Sequence, residues 1–203
     1  MKLLIELPTW LGDTVMATPA IENLVNHFND VEITLIGSIV AIEALKHHPK
    51  VIKTYILDKQ FSNLFKTLKG LNKFDIFFTF RGSLRAKLIK LFVSAERKYQ
   101  FDKNKYLRGH QVEKYNSFVN DALNINQVAS SLILHNVGQR STKKNKLLGI
   151  NPGATYGSAK RWNPKNFADV AKDLSNQYDI IIFGGPQERN IAKDIEKYLI
   201  EKG

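Results

Sequence analysis

The apolar positions along this chain follow two alternating patterns. Short aliphatic runs, typical of strands buried in a parallel sheet, alternate with segments whose apolar residues recur at helical spacing. The first pattern predicts strands over residues 2–7, 31–37, 51–57, 74–80 and 97–101. The second predicts helices over residues 20–28, 39–48, 61–69, 83–94 and 111–123, of which 83–94 is basic and amphipathic. Strands that alternate with helices predict an α/β fold with a doubly wound, Rossmann-like parallel sheet.

The pattern fades after residue 123 and resumes near residue 147. We therefore predict three segments: a Rossmann-like domain over 1–123, a linker over 124–146 and a second Rossmann-like unit over 147–203. In the second unit, strands are predicted over 147–151 and 178–185, and helices from Pro164, with Asn163 as N-cap, and from Pro186. A sheet of only two strands leaves much of its surface uncovered, which indicates that this unit is incomplete. Either it extends the first sheet, or the sequence is the front part of a longer protein.

The charge of the chain is concentrated in two segments. Of the net charge of +11, residues 81–108 contribute +7 and residues 140–146 contribute +4. Such concentration favours an anionic partner, which leaves nucleic acid, an anionic lipid surface, an acidic small substrate or a merely solvated basic face open. The absence of cysteine excludes disulfides and thiolate metal sites. No secretory leader or membrane-span pattern is found, so a cytoplasmic protein is expected.

The first candidate site follows the first predicted strand. In an open parallel sheet, ligands bind beyond the carboxyl ends of the strands, and residues 8–20 lie there. Gly12 allows a ligand to approach the backbone closely, and Asp13 follows it. The next helix begins either at Gly12 or at Thr18, and Asp13 is either a functional carboxylate or simply an N-cap. The dinucleotide pattern G-x-G-x-x-G and the Walker A pattern are both absent.

The second candidate site is the segment NPGATYGSAKRW, residues 151–162. It combines flexible glycines, hydroxyl groups and cations directly before a helix, which are the parts needed to hold a diphosphate. The residues concerned are Gly153, Thr155, Gly157, Ser158, Lys160 and Arg161. A second strand end with paired glycines, at residues 180–186, is expected to open onto the same edge of its sheet.

Two further groups of residues carry side chains that can bind ligands. Arg81 and Arg85 lie four residues apart after a strand, so both are expected to face the cleft, where arginine binds carboxylates and phosphates well. His47 and His48 are adjacent and find no carboxylate at metal-ligand spacing in the sequence, so no metal site is predicted there.

The two loop motifs together resemble those of a known family. LPTWLGDTVMATPAI at residues 7–21 and NPGATYGSAKRWNPKNFADVAK at residues 151–172 are similar to motifs of the ADP-heptose:lipopolysaccharide heptosyltransferases, glycosyltransferase family 9. The variant YGSAKRW is most similar to that of the heptosyltransferase II group. The resemblance spans almost the whole chain. It implies a B-type glycosyltransferase fold of two Rossmann-like domains with the active cleft between them, the acceptor held by the first domain and the donor by the second.

The resemblance also implies roles for individual residues. Asp13 would be the catalytic base that deprotonates the acceptor hydroxyl, a proton that becomes acidic as the bond to ADP breaks. Thr155, Ser158 and Lys160 would hold the donor phosphates, with Lys160 offsetting charge on the leaving ADP. Gly12, Arg81 and Arg85 would meet the acceptor.

The resemblance implies an inverting transfer of L-glycero-D-manno-heptose from ADP-heptose to the inner core of lipopolysaccharide, without cofactor or metal. It also implies a cytoplasmic enzyme with peripheral contact to the inner membrane surface and no nucleic-acid partner. A family stretch Asp-x-Gly-x-x-His is missing after Gly203. The expectation is therefore a truncated enzyme. The alternatives are a B-type glycosyltransferase that uses another nucleotide sugar and a non-catalytic, basic anion-binding protein.

Overall fold

A computed structural model describes residues 1–28, 30–58, 60–135, 146–154 and 157–201, with the backbone only at 61, 62, 158 and 201. The chain divides into two compact units, Met1–Gly138 and Gln139–Gly203. Among the helices of the described ranges, none is both long and apolar enough to cross a bilayer.

The first unit contains a parallel sheet of five strands in the order β3-β2-β1-β4-β5. The strands are β1 (Lys2–Glu6), β2 (Glu32–Gly37), β3 (Val51–Ile56), β4 (Phe74–Thr79) and β5 (Ala95–Gln100). Each lies within about two residues of the range that the apolar pattern predicts. The central strands β1, β2 and β4 are buried almost throughout, because helices cover both faces of the sheet.

The described residues of this unit form six helices. They are α1 (Leu11–Met16), α2 (Thr18–His27), α3 (Ile39–Leu45), α4 (Phe61–Lys69), α5 (Leu84–Phe92) and α6 (Gln111–Leu123). Successive residues of a strand point to opposite faces of its sheet, and this alternation separates two cores. On one face Leu3 and Ile5 pack with residues of α2, α3 and α6. On the other face Leu4 and Phe77 pack with residues of α4 and α5.

The first unit continues past the boundary predicted at residue 123. Asn116 donates through Nδ2 to the carbonyl of Gln127 at 2.6 Å. Asn23 donates to the carbonyl of Val128 at 3.2 Å, and the Ile133 amide donates to Thr18 Oγ1 at 3.2 Å. Residues 124–135 therefore pack on α2 and α6. Most of the basic segment 140–146 lies outside the described residues.

The second unit contains a separate two-stranded parallel sheet of β6 (Lys146–Ile150) and β7 (Tyr178–Ile182). The option that these strands extend the first sheet is therefore wrong for the described residues. Helices α7 (Pro164–Leu174) and α8 (Arg189–Glu201) pack with them around a small core of Ile150, Ala168, Ala171 and Ile195. As predicted, Asn163 caps α7 by accepting from the Lys165 amide at 2.9 Å, and Pro164 is the first helical residue.

Candidate active site

The carboxyl edge of the first sheet holds the first group of candidate residues. Strands β2 and β3 lie to one side of β1, and β4 and β5 lie to the other. Successive strands are thus added on one side of β1 up to β3 and on the other side from β4 onward. Open α/β sheets bind ligands at the position between β1 and β4, where this order switches. Gly12 and Asp13 lie in α1, which begins soon after β1, and Arg81 lies in the loop that follows β4.

Asp13 lies in the first turn of α1 and is half-buried. The helix begins at Leu11 with Trp10 at the N-cap position, so the reading of Asp13 as an N-cap is wrong. The hydroxyl of Thr14 donates to the carbonyls of Pro8 at 3.3 Å and Trp10 at 3.0 Å, which holds the loop before the helix. The carboxylate of Asp13 is therefore positioned at this edge without being needed to cap the helix.

Tyr115 of α6 lies near Asp13 and was not anticipated from the sequence. Its ring is buried against Phe80 and Phe101. Burial raises the pKa of the Tyr115 hydroxyl strongly, the negative charge of Asp13 adds to the rise, and a hydrogen bond with Gln111 opposes it. Tyr115 therefore stays protonated within electrostatic range of Asp13.

Gly12 is exposed, and the space beside it is open. A Cβ built at this position meets no other atom within 4 Å. The packing of this unit therefore does not require glycine at position 12. The open space lies at the residue before Asp13, in the first turn of α1.

A buried carboxylate joins β1 to β4 at the same edge. Glu6, fully buried at the end of β1, accepts from Thr79 Oγ1 at 2.7 Å through Oε2. Its Oε1 accepts from a guanidinium nitrogen of Arg81 at 3.1 Å. The Arg81 amide in turn donates to Thr79 Oγ1 at 3.2 Å. This network orients the Arg81 side chain at the carboxyl edge.

Burial raises the pKa of Glu6 above its ordinary value, and the hydrogen bond from Thr79 and the charges of Arg81 and Arg85 oppose the rise. Glu6 was not among the residues predicted to be functional. The available signal was a carboxylate that follows three aliphatic residues in a predicted buried strand, since a fully buried carboxylate needs a partner.

Arg85, in the first turn of α5, lies close enough to Glu6 to lower the pKa of that carboxyl. Its guanidinium also donates to the carbonyl of Asp58, which follows β3. The structure thus brings Arg81 and Arg85 to the same edge of the sheet as Asp13. Both arginines contact protein groups there, so their positions are set by the fold.

The second unit carries the other candidate loop, between β6 and α7. Gly157 has a φ of +108°, which glycine adopts without strain. A short 3₁₀ turn follows over Ser158–Lys160, in which the Lys160 amide donates to the carbonyl of Gly157 at 3.3 Å. The Lys160 side chain is exposed. Thr155 lies outside the described residues, and Ser158 is described by its backbone alone.

The loops that follow β6 and β7 lie against each other, as expected for neighbouring parallel strands. A Cβ on Gly153 would come within 2.5 Å of Glu188 Cγ, so only glycine fits there without movement. Glu188 also accepts from the Gly185 amide at 2.8 Å. Arg161 donates to the carbonyl of Ala154 at 3.0 Å, which turns this cation toward the loop backbone.

A separate cluster in the first unit joins His48 to Glu22 and His135, with ligand atoms within 4.8 Å of one another. Residue spacing alone did not reveal this carboxylate partner of His48. His48 accepts from the Lys50 amide through Nδ1 at 3.1 Å, so the neutral ring carries its proton on Nε2, 3.0 Å from Glu22. A metal-bound Nε2 needs a free lone pair, usually with a proton on Nδ1. The hydrogen-bond pattern therefore does not fit a metal ligand.

Comparison with solved structures shows the fold. The chain superposes on a family 9 glycosyl transferase from Veillonella parvula with a TM-score of 0.78 and 18% identity, over 97% of this chain and 66% of that one. It superposes on E. coli ADP-heptose lipopolysaccharide heptosyltransferase II with a TM-score of 0.76 and 21% identity, over 96% of this chain and 68% of that one. The predicted α/β fold of the B-type glycosyltransferases is confirmed.

Sequence comparison shows the family. The chain is 38% identical to lipooligosaccharide heptosyltransferase 2 of Campylobacter jejuni serotype O:2, over 100% of this chain and 66% of the relative. It thus spans slightly less than two thirds of that relative's length. The model of glycosyltransferase family 9 (heptosyltransferase) matches residues 61–202. With both loop motifs and the fold in agreement, the chain belongs to glycosyltransferase family 9, the heptosyltransferases.

Proposed function

We propose that this chain takes part in the transfer of L-glycero-D-manno-heptose from ADP-heptose to the inner core of lipopolysaccharide, as an enzyme of the heptosyltransferase II type. The observation that carries the proposal is Asp13, a half-buried carboxylate beside open space at the switch point of the first sheet. The names of the C. jejuni and E. coli proteins support the sugar, donor and acceptor class.

In this proposal the first unit binds the acceptor, and Asp13 is the general base. Asp13 removes the proton of the acceptor hydroxyl as that oxygen attacks the anomeric carbon of the heptose. The bond from this carbon to the ADP oxygen breaks at the same time, and ADP leaves with the bonding electrons. Attack from the face opposite to ADP inverts the anomeric centre. A positioned base of this kind contributes about 10²–10⁴-fold to the rate.

Gly12, Arg81 and Arg85 are proposed to hold the acceptor. The core of lipopolysaccharide carries phosphate and carboxylate groups, which guanidinium groups bind well. An arginine has five N–H donors, so the bond from Arg81 to Glu6 orients the side chain and does not exhaust its donors. The fixed positions of Arg81 and Arg85 reduce the entropy that acceptor binding costs.

Thr155, Ser158 and Lys160 are proposed to bind the donor diphosphate. The positive φ of Gly157 and the turn over Ser158–Lys160 form an irregular backbone just before α7, which is suited to anion binding. The exposed ammonium group of Lys160 would stabilise the negative charge that develops on ADP in the transition state. No metal or other cofactor is part of the proposal.

The reaction is proposed to take place in the cytoplasm, at the inner surface of the membrane that holds the acceptor. The two units are proposed to serve as acceptor domain and donor domain. A nucleic-acid partner is not part of the proposal.

The test is heptosyl transfer from ADP-heptose to a core acceptor that ends in its first heptose. This chain is assayed beside the same chain joined to the remaining C-terminal segment of the C. jejuni relative. Asp13→Asn is expected to lower kcat by at least about 10²-fold. Lys160→Ala is expected to lower kcat and to weaken ADP binding.

Two exposed residues supply matched controls, Asp30→Asn for the carboxylate and Lys172→Ala for the cation, and both are expected to keep activity. Folded proteins that transfer no heptose would overturn the proposal. If they still bound ADP, the result would favour a transferase for another ADP-sugar.

A further inference from the structure

Helix α5 is apolar on two opposite sides. Ala86 and Ile89 are fully buried against the sheet. Four larger apolar residues of the same helix are exposed to solvent: Leu84 at 78%, Leu88 at 39%, Leu91 at 70% and Phe92 at 50%.

The exposed residues form one stripe. At 100° per residue, Leu84, Leu88, Leu91 and Phe92 fall on a single side of the helix, opposite Ala86 and Ile89. A helix that covers a sheet normally carries polar residues on this outer side. Phe92 also contacts Phe65 of α4, with ring centroids 4.6 Å apart, so the apolar surface continues onto the neighbouring helix. We call these four residues of α5 the outer stripe.

Basic residues border the outer stripe. Lys87 and Lys90 lie on one side of it, and Arg85 lies on the other. Lys98 of β5 donates to the carbonyl of Leu91 at 3.5 Å, which places a further cation at the end of the stripe. Helix α5 contains no acidic residue, and nearby Glu96 is paired with Lys73 at 2.9 Å. Among the described residues, cations therefore outnumber the carboxylates around the stripe, which are Glu96 and, beside Arg85, Asp58.

The apolar stripe with its basic border fits some partners better than others. A contiguous exposed apolar patch marks a contact surface. A second copy of this chain, placed stripe to stripe, would bring like charges together, which is unfavourable. A bilayer with anionic headgroups instead offers apolar chains to the leucines and negative charge to the lysines, the arrangement of interfacial amphipathic helices.

We propose that the outer stripe of α5 and its bordering lysines dock the protein on an anionic lipid bilayer, with Leu84, Leu88, Leu91 and Phe92 inserted at the headgroup boundary. The use of this contact rests on the proposed function, because a lipid-anchored acceptor would be presented at that surface. The binding itself requires no sugar transfer, so it can be tested separately.

The test is co-sedimentation of the full chain with phosphatidylcholine vesicles, with and without phosphatidylglycerol. We expect binding that needs phosphatidylglycerol and weakens as salt rises. Leu84→Ser combined with Leu91→Ser is expected to lower the partition coefficient at least about tenfold, because both leucines lose their insertion. Lys87→Glu is expected to lower it at least about fivefold.

The controls are Leu107→Ser and Lys172→Glu, which change an exposed leucine and an exposed lysine outside α5. Circular dichroism confirms that every variant is folded. The proposal is overturned if the wild-type chain does not bind, if Leu107→Ser weakens binding as much as the α5 pair, or if the pair instead dissociates a dimer. Heptosyl transfer to a short, lipid-free acceptor is measured in parallel. Its loss together with intact vesicle binding would count against the proposed function alone.

Discussion

The two units of this protein differ in the size of the buried core that lies beneath each candidate site. In the first unit, β1 is buried from Leu3 to Glu6, and β4 is buried from Ile76 to Thr79. In the second unit every residue of β7 is only half-buried, and four of the described residues form the buried cluster. Side chains of the first unit are thus held by a large core, whereas the second unit holds its loop mainly through local contacts.

The candidate sites differ in the same way. In the first unit, Glu6, Thr79 and Arg81 meet across two strands that are more than seventy residues apart in the sequence. In the second unit, the loop depends on the positive φ of Gly157 and the cap of Asn163, both local features. A site built from local backbone geometry is recognisable as a motif. A site built from distant side chains becomes visible only once the strands are paired.

The largest expected effect is a difference in stability loss between substitutions in the two cores. Phe78→Ala should lower the free energy of unfolding of the first unit by about 3–5 kcal/mol, since Phe78 is fully buried between Tyr99 and Phe118. Ile180→Ala should cost the second unit only about 1–2 kcal/mol, because Ile180 is half-buried. The chain has two tryptophans, Trp10 and Trp162, so urea unfolding of Trp162→Phe and Trp10→Phe backgrounds follows each unit by fluorescence. Equal losses would contradict the contrast between the cores.

The second-largest effect is expected from loss of the buried ion pair between Glu6 and Arg81. Arg81→Met should lower the stability of the first unit by about 3 kcal/mol at neutral pH, because Glu6 is left buried without its cation. Burial raises the pKa of Glu6 in the folded protein. The contribution of Glu6 to stability is therefore complete below pH 4.5, the ordinary pKa of this carboxyl, and is lost as the pH rises through the pKa of the folded state. Removal of Arg81 raises that pKa further. The loss measured by urea unfolding should therefore grow from pH 4.5 to pH 7, and a loss independent of pH would contradict a role for the charge of Glu6.

A smaller effect is expected from a glycine of the second unit. Gly153→Ala should destabilise that unit by about 1–2 kcal/mol, because the new Cβ would overlap with Glu188. Combination with Glu188→Ala should restore most of the loss, since the overlapping atom is then removed. The fluorescence of Trp162 reports the change, and the absence of rescue would show that another contact limits position 153.

The smallest effect comes from the matched glycine of the first unit. Gly12→Ala should raise stability by about 0.5–1 kcal/mol, because alanine favours the helix and nothing crowds the new methyl group. The same change should raise KM for the acceptor in the transfer assay, since it fills the open space beside Asp13. A stabilised variant with unchanged KM would remove Gly12 from the proposed acceptor site.

The fold was predictable from the sequence almost completely, and the site only in part. The apolar runs placed all seven strands that the described residues form, and the alternation of strands and helices indicated parallel sheets. Asp13, Arg81 and Arg85 each follow a predicted strand in the sequence, and the structure brings them to one sheet edge because strand ends of a parallel sheet point the same way. Their roles stay predictions. Tyr115 and the partner of His48 were missed, since neither lies near its partner in the sequence. The sequence pattern of α5 indicated a basic amphipathic helix, but it did not show that the leucines of this helix are exposed.

The sequence by itself therefore determined the order and type of the elements, the cap at Asn163 and the residues of both loop motifs. These features depend on backbone preferences and apolar spacing, which act over a few residues. Only the tertiary structure decided that Glu6 pairs with Arg81 and that Tyr115 lies near Asp13. Those contacts depend on which strands become neighbours and on the low-dielectric interior that makes an unpaired charge costly.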